Sequence, residues 1–336
     1  MRHSPIAMYP RTALLAALLD FGPPGPIERL TLAQIQAHRG DVYPDRAPVS
    51  WITGGGNRRV GVTFGTAPAR DGYEIPLRIY RPRAVRDTET DVPVVIFFHG
   101  GGWVQGNVVS YDPLCMHLAE RVRAVVVSVD YRLAPEFQAP TAAHDSVDAT
   151  RWVAEQGAAL RADCSRLAVC GDSAGGNLAA VVAQTVRDTI GPRLRHQALI
   201  YPATDLTMSS PSIDELAQAP LLTKTSMVAF RAHYAPQGTD LTDPTLSPLF
   251  GRLTGLPPTL VQTADLDPLR DDGIRYADAL RAAGVHVRLT NYLRVPHGFA
   301  SFPGAVPTGA QQRAELVQEL RTHLCNDPAA CAPTDD

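Results

Sequence analysis

Lysine is nearly absent from this chain of 336 residues: Lys224 is the single lysine among 31 basic residues, and the rest are arginine. No run of basic residues occurs and the formal net charge is −3, so we expect no nucleic-acid partner. No apolar run approaches the roughly 20 residues of a membrane-spanning helix, which predicts no stable membrane insertion. The zinc-hydrolase pattern H-E-x-x-H and the phosphate-loop ending G-K-S/T are also missing, so neither a metal nor a cofactor is expected.

Cysteine is scarce as well, with five residues whose odd number and spacing do not match a zinc site. Cys115 and Cys170 lie in apolar segments, which predicts that they are small core residues. Cys325 and Cys331 are able to pair in an oxidising compartment, although a reduced pair is the default in the cytoplasm. The apolar stretch 12–19 follows a basic residue, as in a signal peptide, so secretion stays open. We nevertheless expect a cytoplasmic protein, because no small-x-small cleavage site follows this stretch.

Apolar runs alternate with helix-like segments from residue 92 to about residue 201, a pattern typical of βαβ units and a parallel sheet. A hydrophobic content of 45% and a charged content of 19% are typical of globular proteins. The sequence therefore predicts an α/β fold with a mostly parallel central sheet flanked by helices. Further predicted elements are edge strands at 60–64 and 73–80, strands at 259–264 and 285–292, helices near 214–216 and 226–230, and a closing helix at 311–323.

The sequence GDSAG at 171–175 stands between a short apolar run and a helix-like run. A G-x-S-x-G pattern at a strand-to-helix turn is the context in which serine serves as a nucleophile. The helix behind the serine directs free N–H groups and a positive dipole end toward any anion that forms. The same pattern also arises by chance in glycine-rich loops, so the hypothesis that Ser173 is a nucleophile depends on partners elsewhere in the chain.

A serine nucleophile needs a base and a carboxylate that orients the base, in the chain order Ser, Asp or Glu, His. His297 follows a strand-like run and is the candidate base. The preceding strand-like run ends in a loop with four aspartates. Spacing leaves Asp265 and Asp267 open as the orienting acid, with Asp267 slightly favoured, whereas Asp271 and Asp272 have the position of solvated residues at a helix start.

The sequence HGGGW at 99–103 follows a continuous apolar run, as expected after a strand buried on both faces. Adjacent glycines present backbone N–H groups to a ligand, and an HGGG-type loop forms part of the oxyanion hole in lipases and esterases. A second donor there is the N–H of the residue after the nucleophile, here Ala174. We expect His99 to brace this loop by hydrogen bonds. A flexible loop is the alternative, and a phosphate cradle is disfavoured because no G-K-S/T follows.

These motifs, with DPLRDDG at 267–273 and HGF at 297–299, resemble the hormone-sensitive-lipase family of α/β-hydrolases. The segments DYRLAPE at 130–136, YPATD at 201–205 and SPL at 247–249 are similar to that family too. The resemblance implies Ser173 as nucleophile, His297 as base and Asp267 as triad acid, because the family places the acid directly before Pro-Leu. It also implies oxyanion donors at Gly101, Gly102 and Ala174.

The resemblance further implies a helical cap over the site. The expected organisation is N-terminal cap helices at 1–48, a first part of the hydrolase core at 49–205, a cap insertion at 206–248, a second part of the core at 249–325 and a frayed tail at 326–336.

As the family's activity, the resemblance implies a serine carboxylesterase for short- to medium-chain acyl esters. The same triad would serve a deacetylase of N-acetyl or O-acetyl small molecules, and a non-catalytic ligand receptor is a third alternative, disfavoured because His297 is present. Beside a small-molecule acyl ester, we expect a second copy of the chain as a partner, in a homodimer. The side chains expected at the substrate pocket are Trp103, Asp172, Leu221, Leu222, Met227, Val228, Phe230 and Phe299.

Overall fold

An eight-stranded sheet forms the centre of the fold, in a computed structural model that describes residues 7–20, 22, 25–85 and 88–325. The strand order is β1-β2-β4-β3-β5-β6-β7-β8, and all neighbours are parallel except the pairs β1/β2 and β2/β4. The strands are β1 (Val60–Pro68), β2 (Glu74–Pro82), β3 (Val94–Phe98), β4 (Val125–Val129), β5 (Leu167–Asp172), β6 (Leu194–Ile200), β7 (Thr259–Leu266) and β8 (Val287–Pro296).

Eleven helices accompany the sheet in the part of the chain that the structure describes. They are α1 (Pro10–Asp20), α2 (Leu32–His38), α3 (Val49–Thr53), α4 (Asp112–Val122), α5 (Thr141–Glu155), α6 (Gly157–Leu160), α7 (Ala174–Asp188), α8 (Pro211–Glu215), α9 (Lys224–Tyr234), α10 (Arg270–Ala282) and α11 (Gly309–Leu324). The α/β-hydrolase architecture expected from the sequence is confirmed.

The continuous apolar runs become strands that are buried on both faces, because helices cover each side of the sheet. Val94 and Ile96 of β3 point into one core with α5, α7 and α10, whereas Val95 and Phe97 point into a second core with α4 and α11. This alternation follows from the two-residue period of a strand. The predicted core residue Cys115 lies on the α4 side and is fully buried, as is Cys170 in β5.

Two expectations need correction, one about a strand and one about a cysteine. The segment predicted as a second edge strand, β2, pairs with both β1 and β4, so only β1 lies at that edge of the described sheet. Its exposed, alternating pattern misled the prediction, because antiparallel strands often keep one face in solvent. The second correction concerns Cys325, which is disulfide-bonded and therefore does not have the reduced thiol taken as the default. Cys331 and the predicted tail 326–336 lie outside the described residues.

Residues 206–248 contain α8 and α9 and no strand, as predicted. They contact the N-terminal segment through two hydrogen bonds: the Leu221 N–H donates to Asp20 Oδ1 at 3.0 Å, and the Ser226 hydroxyl donates to Glu28 Oε2 at 2.9 Å. The division into cap and core segments stays a prediction. In the described part of the chain, no helix has the length and apolar character needed to cross a membrane.

Candidate active site

Ser173 occupies the turn between β5 and α7, with backbone angles φ 54° and ψ −118°. A positive φ is unfavourable for a residue with a side chain and persists only where the surroundings enforce it. The flanking glycines explain how the turn fits. A Cβ atom on Gly175 would lie 2.0 Å from the Phe98 carbonyl oxygen, and one on Gly171 would lie 2.3 Å from the Gly175 carbonyl oxygen. The turn therefore holds the hydroxyl at the carboxyl edge of the sheet.

His297 and Asp267 follow directly after β8 and β7, so all three residues stand at the carboxyl ends of parallel strands. His297 Nε2 lies 2.9 Å from Ser173 Oγ, and His297 Nδ1 lies 2.7 Å from Asp267 Oδ2. Asp267 is fully buried, and its Oδ1 accepts the Leu269 N–H at 2.8 Å. This hydrogen-bonded succession is able to move a proton from the hydroxyl to the imidazole while the carboxylate orients the ring.

The neighbouring aspartates are engaged in other ways. Asp265 lies inside β7 and accepts the Val295 N–H at 3.1 Å, which ties β7 to β8. The prediction that Asp272 is solvated is wrong: it is fully buried and accepts the backbone N–H groups of Thr204 and Asp205 at 3.0 and 3.1 Å. Burial raises the pKa of Asp272 to about 7. Its position near a helix start suggested a solvated side chain, whereas the two hydrogen bonds that it accepts anchor the loop after β6.

The loop after β3 approaches Ser173 with backbone that only glycine adopts readily. Gly101 and Gly102 have φ values of 118° and 61°. A Cβ atom on Gly101 would lie 2.2 Å from the Gln105 carbonyl oxygen, and one on Gly102 would lie 2.3 Å from the Phe230 ring. Both glycines line the same cavity as Ser173 and Ala174, and Ala174 is the first residue of α7, where backbone N–H groups have no partner within the helix.

Asp172 connects this loop to the serine turn. Its Oδ1 accepts the Gly100 N–H at 2.8 Å, and its Oδ2 accepts the Tyr111 hydroxyl at 3.0 Å. Burial raises the pKa of Asp172 to about 6, because the carboxylate has lost most of its hydration. His99 lies on the other side of the loop, fully buried, with Nδ1 2.8 Å from the Gly100 carbonyl oxygen. Burial lowers the pKa of His99, which favours the neutral ring and agrees with the bracing position expected for it.

A cavity of about 450 Å³ opens above Ser173. The strand ends form its floor, and side chains from α1, α9 and the segment after β6 form its walls. Of the side chains expected at the pocket, six border the cavity: Trp103, Asp172, Leu221, Leu222, Met227 and Phe230. Trp103 is buried and stacks on Tyr234 with the ring centroids 4.5 Å apart.

Phe299 and Val228, which were also expected at the pocket, do not border the cavity. Phe299 is fully buried against Tyr201 and Tyr292, at centroid distances of 5.7 and 5.4 Å, so it packs behind His297. Val228 is 41% exposed on the outer face of α9. Sequence reasoning missed the lining residues Leu19, Tyr43, Leu206, Met208, Arg231 and Phe302. They lie in segments with no motif, and their approach to Ser173 depends on the tertiary fold.

Residues 95–301 match the α/β-hydrolase fold family. Carboxylesterase NlhH of Mycobacterium tuberculosis is 48% identical over 256 residues, which cover 75% of this chain and 79% of that protein. Ethyl acetate hydrolase of Pseudomonas putida is 39% identical over 259 residues, with 76% and 80% covered. The crystal structure of a thermostable esterase from Pseudomonas putida ECU1011 superposes with a TM-score of 0.85 at 34% identity and covers 97% of this chain and 100% of that one.

The matched family region exceeds half of the chain, and the relatives are similar across most of their own length. The chain therefore belongs to the α/β-hydrolase family, in the group of hormone-sensitive-lipase-like carboxylesterases that its motifs resemble.

Proposed function

We propose that this protein is a serine carboxylesterase that hydrolyses small acyl esters through an acyl-enzyme intermediate. The observation that supports this proposal most directly is the hydrogen-bonded succession from Ser173 Oγ through His297 to Asp267 at the floor of an open cavity. The relatives' names, carboxylesterase and ethyl acetate hydrolase, agree with ester hydrolysis.

In the proposed reaction, Ser173 Oγ attacks the ester carbonyl carbon while His297 Nε2 takes the hydroxyl proton. Asp267 holds the Nδ1–H of His297 and stabilises the imidazolium that forms. His297 then gives the proton to the departing alkoxide, which leaves as the alcohol and yields the acyl-enzyme. Water attacks the acyl carbon with His297 as base, and collapse of the second tetrahedral intermediate releases the acid and restores the hydroxyl.

The developing negative charge on the carbonyl oxygen needs donors that are already in place. We assign this role to the backbone N–H groups of Gly101, Gly102 and Ala174. The support for this assignment is their position around Ser173 on the cavity wall and the hydrogen bond by which Asp172 holds the Gly100 N–H. The positive end of α7 adds a favourable field at the same place.

We propose a preference for acyl chains of about four to eight carbons, by analogy with the family. The cavity volume of about 450 Å³ and apolar wall residues such as Leu222, Met227 and Phe230 support a small apolar acyl group. We also propose that the N-terminal segment and residues 206–248 act as the cap that closes over this group. Their two connecting hydrogen bonds and their shared place on the cavity wall support this assignment.

The experiment that tests the function is a series of p-nitrophenyl esters, from acetate to palmitate, measured on the wild type and on Ser173→Ala. We expect activity to peak on short to medium chains and to disappear in the variant, with an unchanged melting temperature. A Ser173→Ala protein that hydrolyses p-nitrophenyl butyrate at the parental rate would overturn the proposal. A peak at palmitate would overturn the chain-length preference alone.

The cytoplasmic location and the homodimer remain proposals. β1 and β8 are the edges of the described sheet, and free strand edges are able to pair between copies. Sedimentation analysis of the full chain measures the mass that decides between monomer and dimer.

A further inference from the structure

One cationic side chain other than histidine borders the active-site cavity in the described part of the chain: Arg231 of α9. Its Nη1 donates to the Leu206 carbonyl oxygen at 3.0 Å, and it forms no ion pair with any described carboxylate. A guanidinium carries five N–H donors in a planar fork that matches a carboxylate. Most of its hydrogen-bonding capacity therefore remains for a molecule in the cavity.

The acidic side chains on the cavity wall do not neutralise Arg231, because each has other partners. Asp205 is paired with Arg275 at 3.0 Å and accepts the Ser209 hydroxyl at 2.5 Å. Asp172 accepts hydrogen bonds from the Gly100 N–H and the Tyr111 hydroxyl. Asp20 lies exposed at the end of α1, where it accepts the Leu221 N–H.

The surroundings of Arg231 strengthen any contact with an anion. Leu206, Met227 and Phe230 border the same cavity, and such apolar side chains lower the polarity of its wall. A charge-assisted hydrogen bond is stronger in such a setting than in water, and a bidentate contact adds directional selectivity.

We propose that Arg231 forms a carboxylate subsite in the active-site cavity, and that the enzyme selects esters that carry an anionic group at the far end of a short arm. This inference rests on the proposed esterase function. Ser173 cleaves the ester, while Arg231 holds the distant carboxylate and thereby places the scissile carbonyl over the oxyanion donors. Both arms of an ester are able to carry such a group, and the experiment separates them.

The test compares matched anionic and neutral esters. For the acyl arm, the pairs are the p-nitrophenyl half-esters of adipic and suberic acid against p-nitrophenyl hexanoate and octanoate. For the alcohol arm, the pair is 4-carboxyphenyl butyrate against p-nitrophenyl butyrate. Each substrate is measured with the wild type, Arg231→Gln, Arg231→Lys and Arg252→Gln, a variant that removes the same charge from a surface position 62% exposed.

We expect Arg231→Gln to lower kcat/KM for the anionic esters of one arm by about 10- to 100-fold, mainly through KM, and to leave the neutral esters unchanged. Arg231→Lys should keep part of the preference because it keeps the charge but loses the fork. Arg252→Gln should behave like the wild type. An anionic-to-neutral ratio that is equal in all four proteins for both arms would overturn the subsite, whereas a wild type inactive on both the anionic and the neutral esters would instead overturn the proposed function.

Discussion

The floor and the roof of the active-site cavity are built in different ways. On the floor, Ser173, Asp267 and His297 each follow a parallel strand directly, and buried backbone contacts leave no room for a side chain at Gly171 or Gly175. The roof is the proposed cap, formed by residues 206–248 and the N-terminal segment, and these two parts are joined by two hydrogen bonds that each end on a side-chain carboxylate. We therefore expect substitutions in the floor to affect the reaction itself, and substitutions in the roof to affect substrate preference while leaving the floor in place.

The largest expected effect comes from a substitution that removes the carboxylate beside His297 but keeps the size and shape of the side chain. In Asp267→Asn, the amide oxygen still accepts the Leu269 N–H, so the NH₂ group faces His297 Nδ1. The ring must then accept there and carry its proton on Nε2, where it cannot receive the Ser173 proton. We expect kcat for p-nitrophenyl butyrate to fall about 10⁴-fold.

Asp265→Asn is the matched control for this variant, because Asp265 accepts the Val295 N–H, whereas the described hydrogen bonds of the His297 ring go to Asp267 and Ser173. It should retain activity close to that of the wild type. Equal losses in the two variants would contradict the assignment of the orienting carboxylate to Asp267.

A second, intermediate effect concerns Asp172, the buried carboxyl group that connects the loop after β3 to the turn at Ser173. The pKa of Asp172 is raised from 3.8 to about 6, so the folded protein holds this proton to higher pH than the unfolded chain does. Its contribution to stability is therefore greatest below pH 3.8, is lost as pH rises toward 6, and is constant above that. The loss amounts to about 3 kcal/mol at most.

Asp172→Asn should remove this dependence, because the amide does not titrate. Urea unfolding of both proteins across this pH range measures the difference. The other carboxyl groups whose pKa is raised by burial, Asp130 and Asp272, are present in both proteins and cancel. The free-energy difference between wild type and variant should change by up to about 3 kcal/mol across the range. Parallel curves would show that Asp172 keeps an ordinary pKa.

The smallest expected effect concerns the roof. Ser226→Ala removes the hydrogen bond to Glu28 and the hydroxyl contact with Thr223 Oγ1 at 3.0 Å. It keeps the Ser226 N–H, which donates to the Thr223 side chain at the start of α9. We expect KM for p-nitrophenyl butyrate to rise about threefold, with kcat unchanged, since a lost hydrogen bond of this kind costs on the order of 1 kcal/mol. Glu28→Ala and the double variant complete a cycle that isolates the contact. A fall in kcat comparable with that of Asp267→Asn would abolish the distinction between floor and roof.

The sequence predicted the features that depend on local pattern. The turn at Ser173, the HGGGW loop and the strands before Asp267 and His297 lie where continuous apolar runs meet glycine, aspartate or histidine, and parallel strands bring such ends to one edge. The two incorrect predictions, that Asp272 is solvated and that Phe299 borders the pocket, have the same cause. Burial of a helix-start carboxyl and of an aromatic ring two residues after His297 depends on neighbours far away in the chain, which no local pattern contains.

The sequence by itself determined the fold class, the family and the candidates for the reacting groups, because strand periodicity, glycine spacing and motif order are encoded in short segments. The tertiary structure alone decided which side chains border the cavity, which aspartates are engaged by other partners, and that Arg231 lies in the cavity wall without an ion pair among the described residues. These properties arise from long-range packing, since α1, α9 and the loop after β6 meet above Ser173 only in the folded chain.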